Sequence, residues 1–261
     1  DVVKEEFRQR ILASPYGRLF GLYLAQANFS VHPYGRPGIG SIEDLDAATI
    51  EDVRAFHATY YRPDNAVLVV AGNFDPAELD AWVDRYFGPI ETPKRAIPRV
   101  TVKEPVRTAP REHTVYEPNT PLPAVSFSYP SPDALSPDQA ALAVLDAILS
   151  KGESSRLYQS MVYTQQVATE VFTFYEATRD AGSYNLIAIL SEGKSAEDGV
   201  KSLSDEIARV RDTSVTDAEL DEAKNELVSE TLRGRETAFG RATELANSLI
   251  RYRDGKYADK L

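Results

Sequence analysis

Residues 167–190 read VATEVFTFYEATRDAGSYNLIAIL. The runs at 167–175 and 182–190 are rich in Val, Ile, Thr, Tyr and Phe. Such residues suit a pleated, packed surface, so each run predicts a strand. Just upstream, Gly152-Glu153-Ser154-Ser155 turns the chain into a short helix at 156–163. Farther back, Val125, Phe127 and Tyr129 alternate with Ser126 and Ser128, which predicts a strand over 124–129. A further strand is expected at 113–117. Between these lies a helix start, Ser136-Pro137-Asp138-Gln139, followed at helical spacing by Leu142, Leu145, Ile148 and Leu149. Downstream, Ser195 opens a helix, and Thr216-Asp217-Ala218-Glu219 caps a long helical region broken near Gly234 or Gly240. Neighbouring strands joined by tight turns imply an α+β fold, with antiparallel or mixed sheet and helices on one face.

Residues 1–88 run differently. Helices are expected at 1–13 and 18–29, parted by Ser14-Pro15-Tyr16-Gly17. His32-Pro33-Tyr34-Gly35-Arg36-Pro37-Gly38-Ile39-Gly40 is a loop, punctuated by Pro and Gly. Ser41 and Thr49 open two short helices, the second with the capping pattern Thr49-Ile50-Glu51-Asp52. Residues 65–72 are apolar and β-branched, which predicts a strand buried on both faces. Asp75-Pro76 begins another helix, with Leu79, Trp82, Val83 and Tyr86 as its inner face. Residues 89–112 hold Pro89, Pro93, Pro98, Pro105 and Pro110 with little helical period, and read as an extended linker. The division expected is therefore 1–88, a linker at 89–112, and 113–261, with a faint repeat in Tyr16-Gly17-Arg18 and Phe239-Gly240-Arg241. The chain opens on Asp1 with Val2, Val3, Phe7 and Ile11 already at helical spacing, so it is expected to be a piece of a longer polypeptide.

The formal net charge of -11 argues against a nucleic-acid partner, since phosphates would repel the chain. The absence of cysteine excludes disulfides, thiolate nucleophiles and sulfur-ligated metal. The longest apolar run, 66–71, is far short of a membrane span. No Gly-rich turn follows a strand in the manner of a nucleotide site, and Ser154 and Ser155 have no base near them in sequence.

Several segments together resemble the M16 (pitrilysin/insulinase) zinc metallopeptidases, in their bacterial processing-peptidase-like branch. Asp1-Val2-Val3-Lys4-Glu5-Glu6 resembles the helix downstream of that family's inverted zinc motif, and 32–40 its Pro/Gly loop. Residues 56–72 resemble its helix-to-strand passage; Ser154-Ser155-Arg156-Leu157-Tyr158 and Asp180-Ala181-Gly182-Ser183 resemble its second module. The resemblance implies duplicated two-layer α+β modules, with 1–88 the back part of one and 113–261 most of the next.

It also implies chemistry. The family binds zinc with an H-x-x-E-H pair of His and a later Glu, and the Glu of that motif acts as general base. His32, His57 and His113 show no such spacing, so no catalytic residue is expected in this chain and zinc is expected only in the intact protein. His32 is expected to shape its loop. Glu6 aligns with the family's downstream zinc ligand; Glu5 points about 100° away around the helix. The family's substrate-binding Arg and Tyr fall on Val162 and Thr169, both departures, and Tyr163 is a poor substitute. A peptide substrate is implied, with the Arg and Tyr supplied by a homologous subunit or second half. The bacterial periplasm is preferred to the cytoplasm as its compartment. The readings carried forward are a segment of an endopeptidase with an enclosed chamber, inactive alone; a non-catalytic homologue acting as partner subunit or scaffold; and a peptide binder working by strand addition.

Overall fold

In the computed structural model, which describes the backbone of residues 1–260 and the side chains of 1–257, helices alternate with a small sheet. In chain order, α1 (Val2–Phe7) continues as a π-helical turn, Arg8–Leu12, and a second π turn, Leu19–Tyr23, leads into α2 (Leu24–Asn28). Then come α3 (Ile42–Ala47), α4 (Ile50–Tyr60) and α5 (Pro76–Tyr86). After β1 (Ala124–Ser131) and α6 (Gln139–Ser150), a third π turn, Tyr158–Thr164, precedes β2 (Ala168–Ala177) and β3 (Gly182–Leu190). The chain then forms α7 (Ala196–Asp212), α8 (Asp217–Gly234) and α9 (Ala238–Tyr252). Leu261, the end of the second expected module, lies outside the described residues. Two compact units emerge: Asp1–Ile42 with Val102–Ser229, and Glu43–Thr101 with Glu230–Leu261.

The first unit is organised on β3. It pairs antiparallel with β1 on one edge and β2 on the other, giving the order β1-β3-β2. Every residue of β3 is buried, so both faces are covered. Tyr184, Leu186, Ala188 and Leu190 pack with Val125 and Val171 into a core completed by Leu149 of α6, Met161 of the third π turn and Leu203 of α7. Across the opposite face, the ring of Phe20 lies 5.8 Å from that of Phe172, and Asn28 Nδ2 donates to Asn185 Oδ1 at 3.2 Å. The helices after β1 thus take one face of the sheet, as expected, while the segment at 19–28 supplies the cover for the other.

Local chemistry sets the helix starts. Ser195 and Asp198 exchange hydrogen bonds in a capping box at the head of α7. Thr216 and Glu219 do the same at α8, which seats Ala223 against Ala147 and Ile148. At Gly199, α7 approaches the sheet so closely that a Cβ there would lie 2.7 Å from Leu190 Cδ2.

In the second unit, the expected Thr49/Asp52 capping box is present on α4, and Asp75 accepts from the amides of Ala77 and Glu78 at the head of α5. Buried Arg62 donates to both Asp64 oxygens and to the carbonyls of Pro93 and Arg95.

Three expectations fail. Residues 65–72 form no strand: Val67, Leu68 and Val70 are exposed, and among the described residues no strand pairs with them. A strand buried on both faces needs neighbours, and apolar composition alone does not provide them. Residues 113–117 are also irregular, because the outer edge of β1 carries no further strand among the described residues; 113–116 are exposed, and the half-buried Glu117 accepts from Arg18 and Tyr23. The expected inner face of α5 is only partly covered, with Trp82 and Tyr86 exposed.

Candidate functional site

Glu6 sits on α1, one residue before Phe7, whose buried ring anchors the helix. Its carboxylate lies 3.0 Å from Arg10 Nη1, one turn on, with the Glu6 side chain 42% exposed. Glu5 points elsewhere and accepts from Arg8 and Gln9. An exposed i,i+4 ion pair is worth only ~0.3–0.5 kcal/mol, so Arg10 gives way readily to a stronger cation. Zinc, however, needs three protein ligands, and among the described residues no three His, Cys, Asp or Glu side chains gather. The residues described do not fit a zinc ion by themselves.

The histidines lie apart. His57 is exposed and stacks on Tyr61, and His113 is exposed in irregular chain. His32 is buried and does shape its loop: Nδ1 accepts the Tyr34 amide at 3.3 Å, and Nε2 lies 3.9 Å from Asp180 Oδ2.

Val162 lies on the third π turn, half-buried against the core. That turn is fixed by a polar chain beneath it. Gln165 Nε2 donates to Ser160 Oγ, Ser160 donates to the buried carboxylate of Glu206, and Ser202 donates to Gln165 Oε1. Thr169 stands at a register shift in β2, its hydroxyl donating to the Ile189 carbonyl at 3.2 Å. Tyr163 is exposed. The position expected for the Arg is thus a packing position, and no guanidinium or phenol stands at either.

Sequence reasoning missed one arrangement altogether. Past α2, the amides of Ser30, Val31 and His32 donate to Glu104 at 2.7, 3.0 and 2.9 Å, and the Ser30 hydroxyl donates as well. Burial pushes the Glu104 carboxyl up, but these donors outweigh it and bring it from the ordinary 4.5 to about 2. Three residues on, Arg107 donates to the carbonyls of Ala27, Asn28 and Ser128 at 3.2, 3.0 and 3.3 Å. The only signal for this in the sequence was an acid standing within a basic, Pro-rich linker. Elsewhere Arg156 meets Glu219 through two hydrogen bonds, and with the Thr216 cap these hold the Glu219 carboxyl at about 2.

Residues 47–227 match the family profile described as the peptidase M16 inactive domain. Over 250 residues the chain is 28% identical to a Helicobacter pylori protein named zinc protease PqqE, covering 95% of this chain and 56% of that protein. Over 268 residues it is 32% identical to a Mycobacterium leprae protein named as an uncharacterized zinc protease, covering 98% of this chain and 57% of that one. The crystal structure of a protease from Helicobacter pylori superposes with a TM-score of 0.92 at 27% identity, over 99% of this chain and 62% of that one. A peptidase M16 inactive domain from Pseudomonas fluorescens, 20% identical, shares the fold with a TM-score of 0.79, over 100% of this chain and 62% of that one. The chain therefore spans a little over half the length of the curated relatives it matches. With the inactive-domain profile matched over more than half of its length, the chain belongs to the peptidase M16 family.

Proposed function

We propose that this chain is a segment of a zinc-dependent metalloendopeptidase that hydrolyses peptides or unfolded polypeptides in an enclosed chamber, and that the segment is inactive alone. The observation that carries the reading is the continuous match over residues 47–227, joined to relatives named zinc proteases. In the intact protein Glu6 is the third zinc ligand, its two His partners lying on polypeptide outside this chain. Such a zinc supplies an activated water for amide hydrolysis. The accessible carboxylate of Glu6, held only by an exposed ion pair, supports that role. Residues 1–88 are the back part of one module and 113–261 most of the next, so the exposed run at 65–72 joins a sheet completed by other polypeptide. Because Val162 and Thr169 stand where the family places Arg and Tyr, a homologous subunit or second half supplies those groups. The compartment proposed is the bacterial periplasm.

The test uses the full-length protein, its zinc content and its cleavage of a quenched fluorescent peptide. Stoichiometric zinc, activity abolished by a chelator, and Glu6→Gln losing both are expected. Chelator-resistant cleavage, or Glu6→Gln retaining zinc, overturns the reading. The description of the matched profile as an inactive domain favours a second reading, a non-catalytic homologue that partners an active subunit or acts as a peptide-binding scaffold. A full-length protein that purifies without zinc and binds none selects it.

A further inference from the structure

We propose that Ser30, Val31 and His32 form a carboxylate-binding cup with Glu104 as its built-in ligand, so that residues 104–107 act as a releasable clasp across the end of α2. The cup is made where the chain leaves the helix: Phe29 turns extended, at φ -123 and ψ 126, and the next three amides point the same way. Two donors serve each oxygen. Oε1 takes the amide and hydroxyl of Ser30, and Oε2 takes the amides of Val31 and His32. Paired donors on two coplanar oxygens match a carboxylate, and oriented backbone amides of this kind favour anions. Emptied, the cup would leave the His32 amide, at the head of a buried residue, short of an acceptor.

Arg107 answers on the other side of the same turn. It donates to the carbonyls of Ala27 and Asn28, where a cation meets the negative end of the helix. Glu104-Pro105-Val106-Arg107 therefore sets its acid on the turn's donors and its base on the turn's acceptors. Between them Val106 is 89% exposed, so packing at that residue does not hold the segment down. The clasp is electrostatic, and a competing carboxylate can take the place of Glu104.

The test is Glu104→Ala in the full-length protein. Hydrogen exchange at the amides of residues 30–32 is expected to accelerate about tenfold or more, the factor that losing one charge-assisted hydrogen bond corresponds to. Tryptic cleavage after Arg107 accelerates alongside it. Acetate, compared with chloride at equal ionic strength, restores protection of the amides but leaves cleavage fast, because it fills the cup without tethering residues 104–107. Unchanged exchange in the variant, or acetate acting no better than chloride, overturns the proposal. Should Glu104→Ala lose its circular dichroism, Glu104→Gln keeps the size and drops the charge. Faster exchange in it supports the cup, and wild-type exchange refutes it.

Discussion

Replacing Gly199 by Ala sets two effects of opposite sign against each other. Within a helix, Ala is favoured over Gly by about 1 kcal/mol, so on propensity alone the variant would be stabilised. The structure reverses that expectation. The added methyl would lie 2.7 Å from Leu190 Cδ2 and 3.0 Å from both Leu190 Cδ1 and Val125 Cγ2. Leu190 is fully buried and Val125 is 7% exposed, so neither can swing aside into solvent. Overpacking of this kind costs ~1–3 kcal/mol, leaving a net loss of roughly 1 kcal/mol. Urea unfolding of the full-length protein, followed by circular dichroism, measures it as a lower midpoint at unchanged slope. Gly234→Ala is the control. It stands at the end of α8 with open space around its would-be Cβ, and it should be neutral or slightly stabilising. A Gly199→Ala protein more stable than the parent would refute the claim that this glycine sets the approach of α7 to the sheet.

Other outcomes follow from the same structure. Leu203→Ala empties a fully buried position facing the sheet and should destabilise by about 3 kcal/mol in the same assay. Glu219, whose carboxyl is held at about 2 against an ordinary 4.5, contributes stability that is present above pH 4.5 and lost as the pH falls from there toward 2. Glu219→Gln should therefore flatten the acid limb of an unfolding-versus-pH curve, by roughly 2 kcal/mol once solvent screening of a carboxylate 30% exposed is allowed for. Tyr16→Phe removes a hydroxyl that donates to the Leu122 carbonyl and accepts the Leu122 amide, and should lower stability by about 1–2 kcal/mol in the urea assay.

What the sequence announced was chiefly local. The alternation in β1, the β-branched and aromatic run of β3 and the Ser195 and Thr216 caps are properties of short windows, and each appears where its pattern places it. What it concealed depended on distance. Glu104 meets residues 72 to 74 positions away, and nothing in a Pro-rich linker says which amides its carboxylate will find. Glu206 is one of several charged residues on its helix and gives no sign that it is buried beneath Ser160. Residues 65–72 show the opposite failure. Their composition states a need for burial but not what meets it, so a strand was inferred where the described residues supply no neighbour. The candidate ligand Glu6 was legible only through family resemblance, since an acid on an exposed helix face carries no signal of its own.

The exposed run Ala66-Val67-Leu68-Val69-Val70-Ala71 also bears on how the polypeptide behaves in a tube. Six uncharged apolar residues, half of them β-branched and none proline or glycine, are the pattern that templates intermolecular cross-β stacking. Arg62-Pro63-Asp64 before it and Asp75-Pro76 after it are the sort of flanking breakers that restrain such growth. The piece handled alone should self-associate with rising concentration, and light scattering of Leu68→Lys, at an exposed position of the run, beside the parent would reveal whether this run is the adhesive.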